Sequence, residues 1–216
     1  MIGNDIVDLT DPQARGKSRD TRFIDRVFSE CERQQILNCS EPDFLLWSLW
    51  AGKETGYKAI CKANADVTAA PRRYEVRLNT PEKIVKENRS FMSGVVETPY
   101  DPVFIRIFAG NDYIHCIGIA GRSGAIDSVI RGVQKIKKMQ GGAIRYSPDA
   151  ASVRVRELAK RRISSHLKQD IEDIDILRLK GPHGLGPPIV SIKGNKVLVN
   201  ISLSHDGNFV SYAFLS

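Results

Sequence analysis

The sequence predicts an α+β fold of two similar halves, each an antiparallel sheet packed on a long helix. Apolar residues change between helical and strand spacing along the chain. Two segments, 103–120 and 197–214, each have the pattern of two strands joined by a turn of Gly, Asn or Asp. An amphipathic helix precedes each segment. Chance similarity of two hairpins is the alternative. If the repeat is real, the chain is a pseudo-dimer with halves at 1–121 and 122–216.

The first half is predicted to contain one strand, two helices and three further strands. The strand covers residues 1–9 and ends in a turn rich in Thr, Asp and Pro. Helical spacing of apolar residues predicts a helix over 22–37. A break that contains Pro42 separates it from a helix over 43–62, for which Asp43 is the expected N-cap. The three later strands are 74–78, 103–108 and 115–119.

The second half is predicted to start with a connecting region, 122–146, which is rich in Gly and Lys and has no clear period. Ser147 then supplies an N-cap and Pro148 a first-turn proline. The helix behind them should face inward with Val153, Leu158, Ile163 and Leu167. Strands at 174–179, 189–192, 197–203 and 209–214 close the chain.

Composition bounds the kind of protein and its partners. The 216 residues, 42% hydrophobic and 26% charged, are enough for one large domain or two small ones. No apolar run is long enough to span a membrane, and the acidic N-terminus is unlike a secretory signal, so a cytoplasmic protein is expected. The net charge of +7 favours an anionic partner such as nucleic acid, a phosphorylated small molecule or an acidic protein.

The cysteines and histidines argue against a zinc site or a disulfide framework. The four cysteines share no C-x-x-C spacing, and the four histidines form no cluster. Reduced thiols in a cytosolic protein are the expectation.

Acidic, basic and histidine side chains in three separate segments could meet in one site. Asp5 lies in an otherwise apolar strand, where a carboxylate is costly unless it is paired or binds a metal. Asp5 and Glu54 could supply two oxygen ligands to Mg²⁺. Lys58, one helical turn after Glu54, and His205, near a strand end, could face substrate phosphates. Together these types describe a phosphoryl-transfer site.

Simpler interpretations exist for each of these features. Glu54 and Lys58 could form only a surface salt bridge, which contributes little stability. His205 could be a turn histidine without a role. The basic run at 154–162 is typical of a solvated helix face, and Trp47 and Trp50 are typical of a core.

Three motifs resemble those of the 4'-phosphopantetheinyl transferases. The chain has GNDIVD at 3–8, WAGKETGYK at 50–58 and SLSHD at 202–206, matching G-x-D-I-V-[DE], W-x-x-K-E-x-x-x-K and S-x-S-H in order. Segment 22–32, RFIDRVFSECE, also resembles the stretch between the first two motifs. The final stretch, which includes 156–167, 181–190 and 199–214, resembles the region leading into the family's histidine. Together the matches touch about half the chain.

The resemblance implies transfer of the phosphopantetheine arm of coenzyme A to a serine of an acyl or peptidyl carrier protein, with release of 3',5'-ADP. Asp5 would match the metal-binding aspartate, and Glu54 a second Mg²⁺ ligand that is sometimes assigned as the base. Lys58 would meet the pyrophosphate, and His205 would act beside it in catalysis. The residues implied in coenzyme A binding are Lys53, Lys58, Arg154, Ser204 and His205.

Departures from the family pattern keep other functions open. The acid often found two residues after the metal aspartate is Val7, and the lysine of Gly-Lys-Pro is replaced by Pro187. A relative that binds coenzyme A or a carrier without turnover is one alternative. A basic nucleic-acid-binding protein is another, although the chain carries no zinc finger or RRM signature.

Motif order is that of the small holo-acyl-carrier-protein synthase type, which forms trimers, but the length is near that of the larger pseudo-dimeric type. We therefore expect a monomeric pseudo-dimer in which Asp5 and Glu54 from the first half face His205 from the second. The positive surface is expected to attract an acidic carrier protein. No nucleic-acid or membrane partner is expected.

Overall fold

A computed structural model describes residues 1–64, 66–79, 91–121, 123–136, 148–181 and 184–216. Within these ranges the α-helices are α1 Thr21–Val27, α2 Glu30–Leu37, α3 Pro42–Ile60 and α4 Pro148–Leu167. The strands in the same ranges are β1 Ile2–Asp8, β2 Glu75–Leu78, β3 Phe91–Glu97, β4 Val103–Ala109, β5 Tyr113–Ala120, β6 Ile130–Lys135, β7 Ile174–Gly181, β8 Gly184–Ile192, β9 Asn195–Lys196, β10 Asn200–Asp206 and β11 Phe209–Leu215. The predicted α+β class, helices with antiparallel sheets, is confirmed.

The first sheet carries the long helix α3 on one face. Its strand order is β1-β5-β4-β3-β2, and every neighbouring pair is antiparallel. Helix α3 packs on β1 and β5. The contact is close because glycines line it: a Cβ at Gly3 would collide with the carbonyl oxygen of Thr55. This close packing brings side chains from the middle of α3 next to β1.

The second half repeats this order of elements with a divided sheet. One sheet has the order β10-β11-β6, and another has the order β7-β8-β9. Helix α4 packs on β10 and β11. If the short helices α1 and α2 and the two-residue β9 are set aside, each half runs strand, long helix, two strands, hairpin. In each half the first strand pairs with the last one, as β1 does with β5 and β6 with β11.

Strands β1 and β10 lie side by side in the same direction and are joined by side chains, an arrangement here named the seam. At one end the Ile2 amide donates to Asn200 Oδ1. In the middle Asn4 Nδ2 donates to the Ser202 carbonyl. At the other end the Asp8 amide donates to Asp206 Oδ2 at 2.8 Å. The seam therefore holds the first half against the second along the whole of β1.

Two helix predictions in the first half need correction. The single helix expected over 22–37 is two helices, because Ser29 begins α2 with a capping box that it forms with Glu32. The N-cap expected at Asp43 is wrong, since α3 already includes Pro42. The Asp43 carboxylate instead accepts hydrogen bonds from the amides of Gly16 and Ser18.

Two predictions in the second half are also wrong. The supposed connecting region contains β6, which sequence periodicity missed because its residues are partly exposed and mixed in polarity. Val153 does not face inward but is 56% exposed. Residues one turn apart starting at Ala151 are buried instead: Ala151, Val155, Ala159 and Ile163. Ser147, the expected N-cap, lies outside the described residues.

The other predicted elements are found at or close to the expected positions, among them β1, α3, β4, β5, β10 and β11. Strand β3 was not predicted. Of the helices described, none is long and apolar enough to cross a membrane.

Candidate active site

Three of the four predicted metal and catalytic residues line one cavity at the Asp8 end of the seam, and the fourth, Lys58, lines a neighbouring one. Asp5 from β1, Glu54 from α3 and His205 from β10 all line the first cavity, which has a volume of about 330 Å³. Phe23, Trp47 and Trp50 form an aromatic wall of this cavity. Residues from both halves of the chain thus face one space, here named the acidic cavity.

Asp5 is the most heavily bonded of these residues. Its side chain is nearly buried, and Oδ1 lies 2.7 Å from Lys58 Nζ and 2.8 Å from the Ser204 hydroxyl, which donates to it. Lys58 Nζ also donates to Ser204 Oγ at 3.1 Å and to the Asn4 carbonyl at 3.2 Å. A buried carboxylate needs such partners. The cluster joins β1, α3 and β10 at one point.

Glu54 lies one helical turn before Lys58 on α3 and is half-buried. Burial raises the pKa of this carboxyl group, the nearby Asp5 raises it further, and Lys58 opposes the shift. Two carboxylates facing one cavity therefore repel each other with only partial compensation. A cation or a proton in the cavity would relieve this repulsion.

His205 stands at the boundary between the acidic cavity and a second one. Burial lowers the pKa of its imidazole, Lys58 lowers it further, and Asp206 and Asp5 oppose the shift. A lowered pKa favours the neutral imidazole, which can donate one hydrogen bond and accept another. Because it lines both cavities, His205 can contact a ligand that extends from one into the other.

The second cavity has a volume of about 500 Å³ and a basic wall, and it is here named the basic cavity. Its cationic lining residues are Lys58, Lys62, Arg156 and Arg178. The lining also includes apolar groups such as Val155, Pro187 and Leu203. A basic and partly apolar space of this size suits a phosphorylated nucleotide better than it suits a neutral ligand.

The residues around the acidic cavity fit a hard divalent cation. Within the described ranges, no group of three or more His, Cys, Asp or Glu side chains is placed to hold a metal on its own. Asp5 and Glu54 would supply two carboxylates, and Mg²⁺ commonly takes one or two carboxylates together with waters and substrate phosphates. Asp8 is committed elsewhere, to Thr10 and to Asn208. Val7, where the family often has an acid, is buried in the core.

Two residues expected to bind coenzyme A lie elsewhere. Lys53 is 1% exposed and forms an ion pair with Glu32 at 2.6 Å, and it also donates to the carbonyl oxygens of Pro71 and Tyr74. Arg154 pairs with Glu157 on the exposed face of α4 and lines neither cavity. Lys53 therefore has a structural place, and Arg156 takes the position toward the basic cavity that was expected of Arg154.

Sequence reasoning missed Asn4, which connects the two halves inside the seam. Its Nδ2 donates to the carbonyls of Ser202 and Ser211, and its Oδ1 accepts from Ser211 Oγ and lies 2.6 Å from His115 Nε2. His115 is fully buried, and burial lowers its pKa to about 3, so it is neutral. A polar residue beside Asp5 in an apolar strand was the available signal.

Comparison with known proteins supports a transferase. Residues 1–92 match the sequence model of the 4'-phosphopantetheinyl transferase superfamily, which confirms the resemblance drawn from the motifs. Those residues contain Asp5, Glu54 and Lys58 but not His205. The match supports phosphopantetheinyl transfer as the general class of activity.

Among solved structures, the chain is similar to the holo-(acyl-carrier-protein) synthase of Thermotoga maritima. The two are 12% identical with a TM-score of 0.38, and the alignment covers 90% of this chain and 83% of the other. No curated protein matches the chain.

Proposed function

We propose that this protein transfers the 4'-phosphopantetheine arm of coenzyme A to a serine of an acyl or peptidyl carrier protein, in the presence of Mg²⁺. The observation that carries the proposal is the shared lining of the acidic cavity by Asp5, Glu54 and His205, which come from three elements and both halves. Their convergence is not required by the fold, because His205 is exposed and Glu54 is only half-buried.

Coenzyme A would lie across the boundary that His205 forms between the cavities. The basic cavity would hold the adenosine 3',5'-diphosphate end, since Lys58, Arg156 and Arg178 offer positive charge to its phosphates. The pyrophosphate would then lie near His205, Ser204 and Lys58, and the phosphopantetheine arm would extend toward the acidic cavity. Lys53 and Arg154 are left out of this binding site because neither lines a cavity.

In the reaction, the hydroxyl oxygen of the carrier serine attacks the β-phosphorus of coenzyme A. A new P–O bond to serine forms, and the P–O bond to 3',5'-ADP breaks. Glu54 accepts the proton of the hydroxyl as the general base. Lys58 and His205 offset the negative charge that grows on the leaving 3',5'-ADP.

Asp5 and Glu54 would hold the divalent cation. Mg²⁺, when bound, supplies positive charge that neutralises the pyrophosphate and draws electron density from phosphorus. Lys58 and Ser204 orient Asp5 by bonding the same carboxylate oxygen, Oδ1. The second oxygen of Asp5 and the carboxylate of Glu54 are the groups we assign to the cation.

The carrier protein would approach from the mouth of the acidic cavity. Gln13, Ala14, Lys17 and Phe23 line this cavity, and the same stretch of chain exposes four arginines. These are Arg15, Arg19, Arg22 and Arg26. Exposed arginines attract an acidic partner and orient it before contact, which is what a carrier domain of negative charge would require.

We also propose that one chain forms the complete cleft as a pseudo-dimer. The matching order of elements in the halves 1–121 and 122–216 supports this, together with the seam that joins them. A monomer would then be active. A protein that transfers only as a homotrimer would contradict the proposal.

The deciding experiment is mass spectrometry of an apo acyl carrier protein incubated with this protein, coenzyme A and Mg²⁺. The expected result is a gain of one phosphopantetheine group per carrier, which EDTA prevents and added Mg²⁺ restores. A carrier whose acceptor serine is replaced by alanine is the control, and it should gain nothing.

Other outcomes would contradict the proposal in different ways. Binding of coenzyme A without any gain of mass on acyl and peptidyl carriers would indicate a non-catalytic relative. Neither binding nor transfer, together with salt-sensitive binding to DNA or RNA, would indicate a nucleic-acid-binding protein.

A further inference from the structure

Lys62 makes a contact in the seam that the proposed reaction does not use. It follows the C-terminal end of α3, one turn beyond Lys58. Its Nζ donates to the Ile2 carbonyl at 2.6 Å and to the Ile201 carbonyl at 2.5 Å. One of these oxygens belongs to β1 and the other to β10. A single side chain thus bonds the backbones of both halves.

The environment of Lys62 makes this position costly. Its described partners include no carboxylate, and burial lowers the pKa of its amine to about 7. Lys58 lowers that pKa further, and the Cys61 thiol raises it. The N-terminal ammonium of Met1 is also close, because Lys62 lowers its pKa. Burying a lysine costs free energy, and a lysine that served only solubility would be exposed. The hydrogen bonds of Lys62 to two carbonyls explain its burial better.

The contact sits at matched places on the two strands. Ile2 precedes Asp5 by three residues, and Ile201 precedes Ser204 by three residues. Three residues of strand span about 10 Å, so the contact is displaced from the Asp5–Ser204 hydrogen bond by the same length on each side. Fixing Ile2 against Ile201 therefore fixes the register in which Asp5 meets Ser204, and with it His205.

Lys62 lines the basic cavity, yet its donors are already used. A lysine ammonium has three N–H groups, and Nζ of Lys62 has three acceptors: the two carbonyls and Asn200 Oδ1 at 3.4 Å. Asn200 Oδ1 in turn accepts from the Ile2 amide. Lys58 Nζ also has three acceptors, but they include the Asp5 carboxylate and the Ser204 hydroxyl. Lys58 therefore holds residues of the site, whereas Lys62 holds the backbones of the two strands.

We propose that Lys62 is a positioning residue, which holds β1 against β10 so that the acids of the first half and His205 of the second keep their catalytic spacing. The catalytic part of this inference rests on the proposed function. Its structural part, the joining of the two strands, does not.

The test compares Lys62→Met, which keeps an apolar stem but loses every donor, with Lys196→Met. Lys196 is exposed on β9 and lines neither cavity, so its replacement controls for the loss of one positive charge. Hydrogen exchange of the β1 amides is measured first, with β4 as the internal reference. The rates kcat and KM for coenzyme A are then measured with an apo acyl carrier protein.

We expect Lys62→Met to speed exchange in β1 by about tenfold while β4 is unchanged. We expect kcat to fall by about tenfold to 100-fold, because small misplacements of reacting groups cost that much, with KM for coenzyme A within about twofold. Lys196→Met should change neither quantity. If Lys62→Met does not fold, Lys62→Gln, which can bond only one of the two carbonyls well, is measured in its place with the same expectation.

Two results would overturn the inference. Unchanged exchange in β1 would mean that Lys62 does not hold the strand. A raised KM for coenzyme A at unchanged kcat would make Lys62 a phosphate ligand. If the unsubstituted protein transfers nothing, the proposed function fails, whereas the exchange measurement still decides whether Lys62 joins the strands.

Discussion

The long helices of the two halves pack on different strands of their sheets. Helix α3 lies over β1 and β5, whereas α4 lies over β10 and β11. The α3 contact is lined by Gly3 and Gly118, while α4 buries the larger Val155 and Ile163. Only in the first half does the helix cover the first strand of its own sheet closely. That is why Lys58 reaches Asp5, and it shows that close helix packing is what builds the acidic side of the site.

The halves also differ at the position of Asp5, the aspartate that we propose binds the metal. Asp5 is opposite Cys116, which is itself opposite Ile107 in the β4–β5 hairpin. In the second half the equivalent of Cys116 is Tyr212, opposite Leu203, and it pairs with Gly132 of β6. A Cβ at Gly132 would lie only 2.6 Å from the Tyr212 ring. A ring thus fills the place of the carboxylate, and the second half contributes His205 and cations instead.

The strongest test of this difference replaces one carboxylate by an amide in each long helix, α3 and α4. Glu54→Gln keeps size and removes the charge, so we expect transfer to fall by at least about 100-fold with little change in stability, because the proposed base is lost. Glu157→Gln on α4, which removes a carboxylate that faces solvent beside Arg154, is the matched control and should keep full activity. Mass spectrometry of the carrier measures both. Full activity of Glu54→Gln would remove Glu54 from the mechanism.

A second comparison sets the buried ion pair of the first half against an exposed pair of the second. Lys53→Met leaves the Glu32 carboxylate buried without its cation, and we expect a loss of about 3–5 kcal/mol in the free energy of unfolding. Lys160→Met removes a partner of Asp175 at the surface and should cost less than about 0.5 kcal/mol. Urea unfolding measures both values. Equal losses in the two variants would show that burial of the Lys53 pair contributes nothing.

A third comparison tests helix seating through two glycines. Gly3→Ala places a methyl group against the backbone of α3, which cannot move without displacing the helix, so we expect a loss of about 3 kcal/mol. Gly132→Ala meets the far end of the Tyr212 ring first, a side chain that can shift, so a loss of about 1 kcal/mol is expected. Thermal unfolding ranks the two. The reverse ranking would mean that α3 does not pack more closely on β1 than Tyr212 of β11 packs on β6.

The last comparison is a pH dependence that belongs to the seam. Lys62 has a pKa of about 7 in the folded protein and 10.5 as its ordinary value. Between these values the unfolded chain binds more protons, so this group makes the free energy of unfolding rise with pH, by at most about 1.4 kcal/mol per pH unit. Lys62→Met lacks this rise.

Unfolding is therefore measured from pH 6 to pH 9 in both proteins. The stability of the unsubstituted protein relative to Lys62→Met should increase across this window, and Lys196→Met should follow the unsubstituted protein. A difference that stays constant or decreases with pH would contradict the lowered pKa.

Local patterns in the sequence were enough to predict much of the fold and the acidic side of the site. Helical spacing predicts α3 and puts Glu54 and Lys58 on one face, because residues four apart are neighbours on a helix. The strand pattern predicts β1, on which Asp5 lies. These predictions depend on contacts between residues close in the chain, and such contacts leave a periodic signal.

Predictions that depend on distant contacts were less successful. Lys53 stands beside Glu54 in the sequence but points to Glu32, a partner supplied by α2, so only the tertiary fold makes it structural. Arg154 and Arg156 are two residues apart on α4, which rotates them by about 200° from one another, and periodicity alone did not select the right one. Strand β6 has no apolar alternation because packing against β11 at its edge does not require one.

The bonds across the seam have a consequence for how such an enzyme could diversify. Strands joined by backbone hydrogen bonds are held at one spacing, about 4.8 Å, whatever their side chains are. Strands β1 and β10 are joined by the side chains of Asn4, Asp5 and Lys62, whose lengths differ from residue to residue. Single substitutions there would widen, narrow or tilt the cleft while both sheets stay intact. Selection could then adjust the fit to new carriers without rebuilding either half.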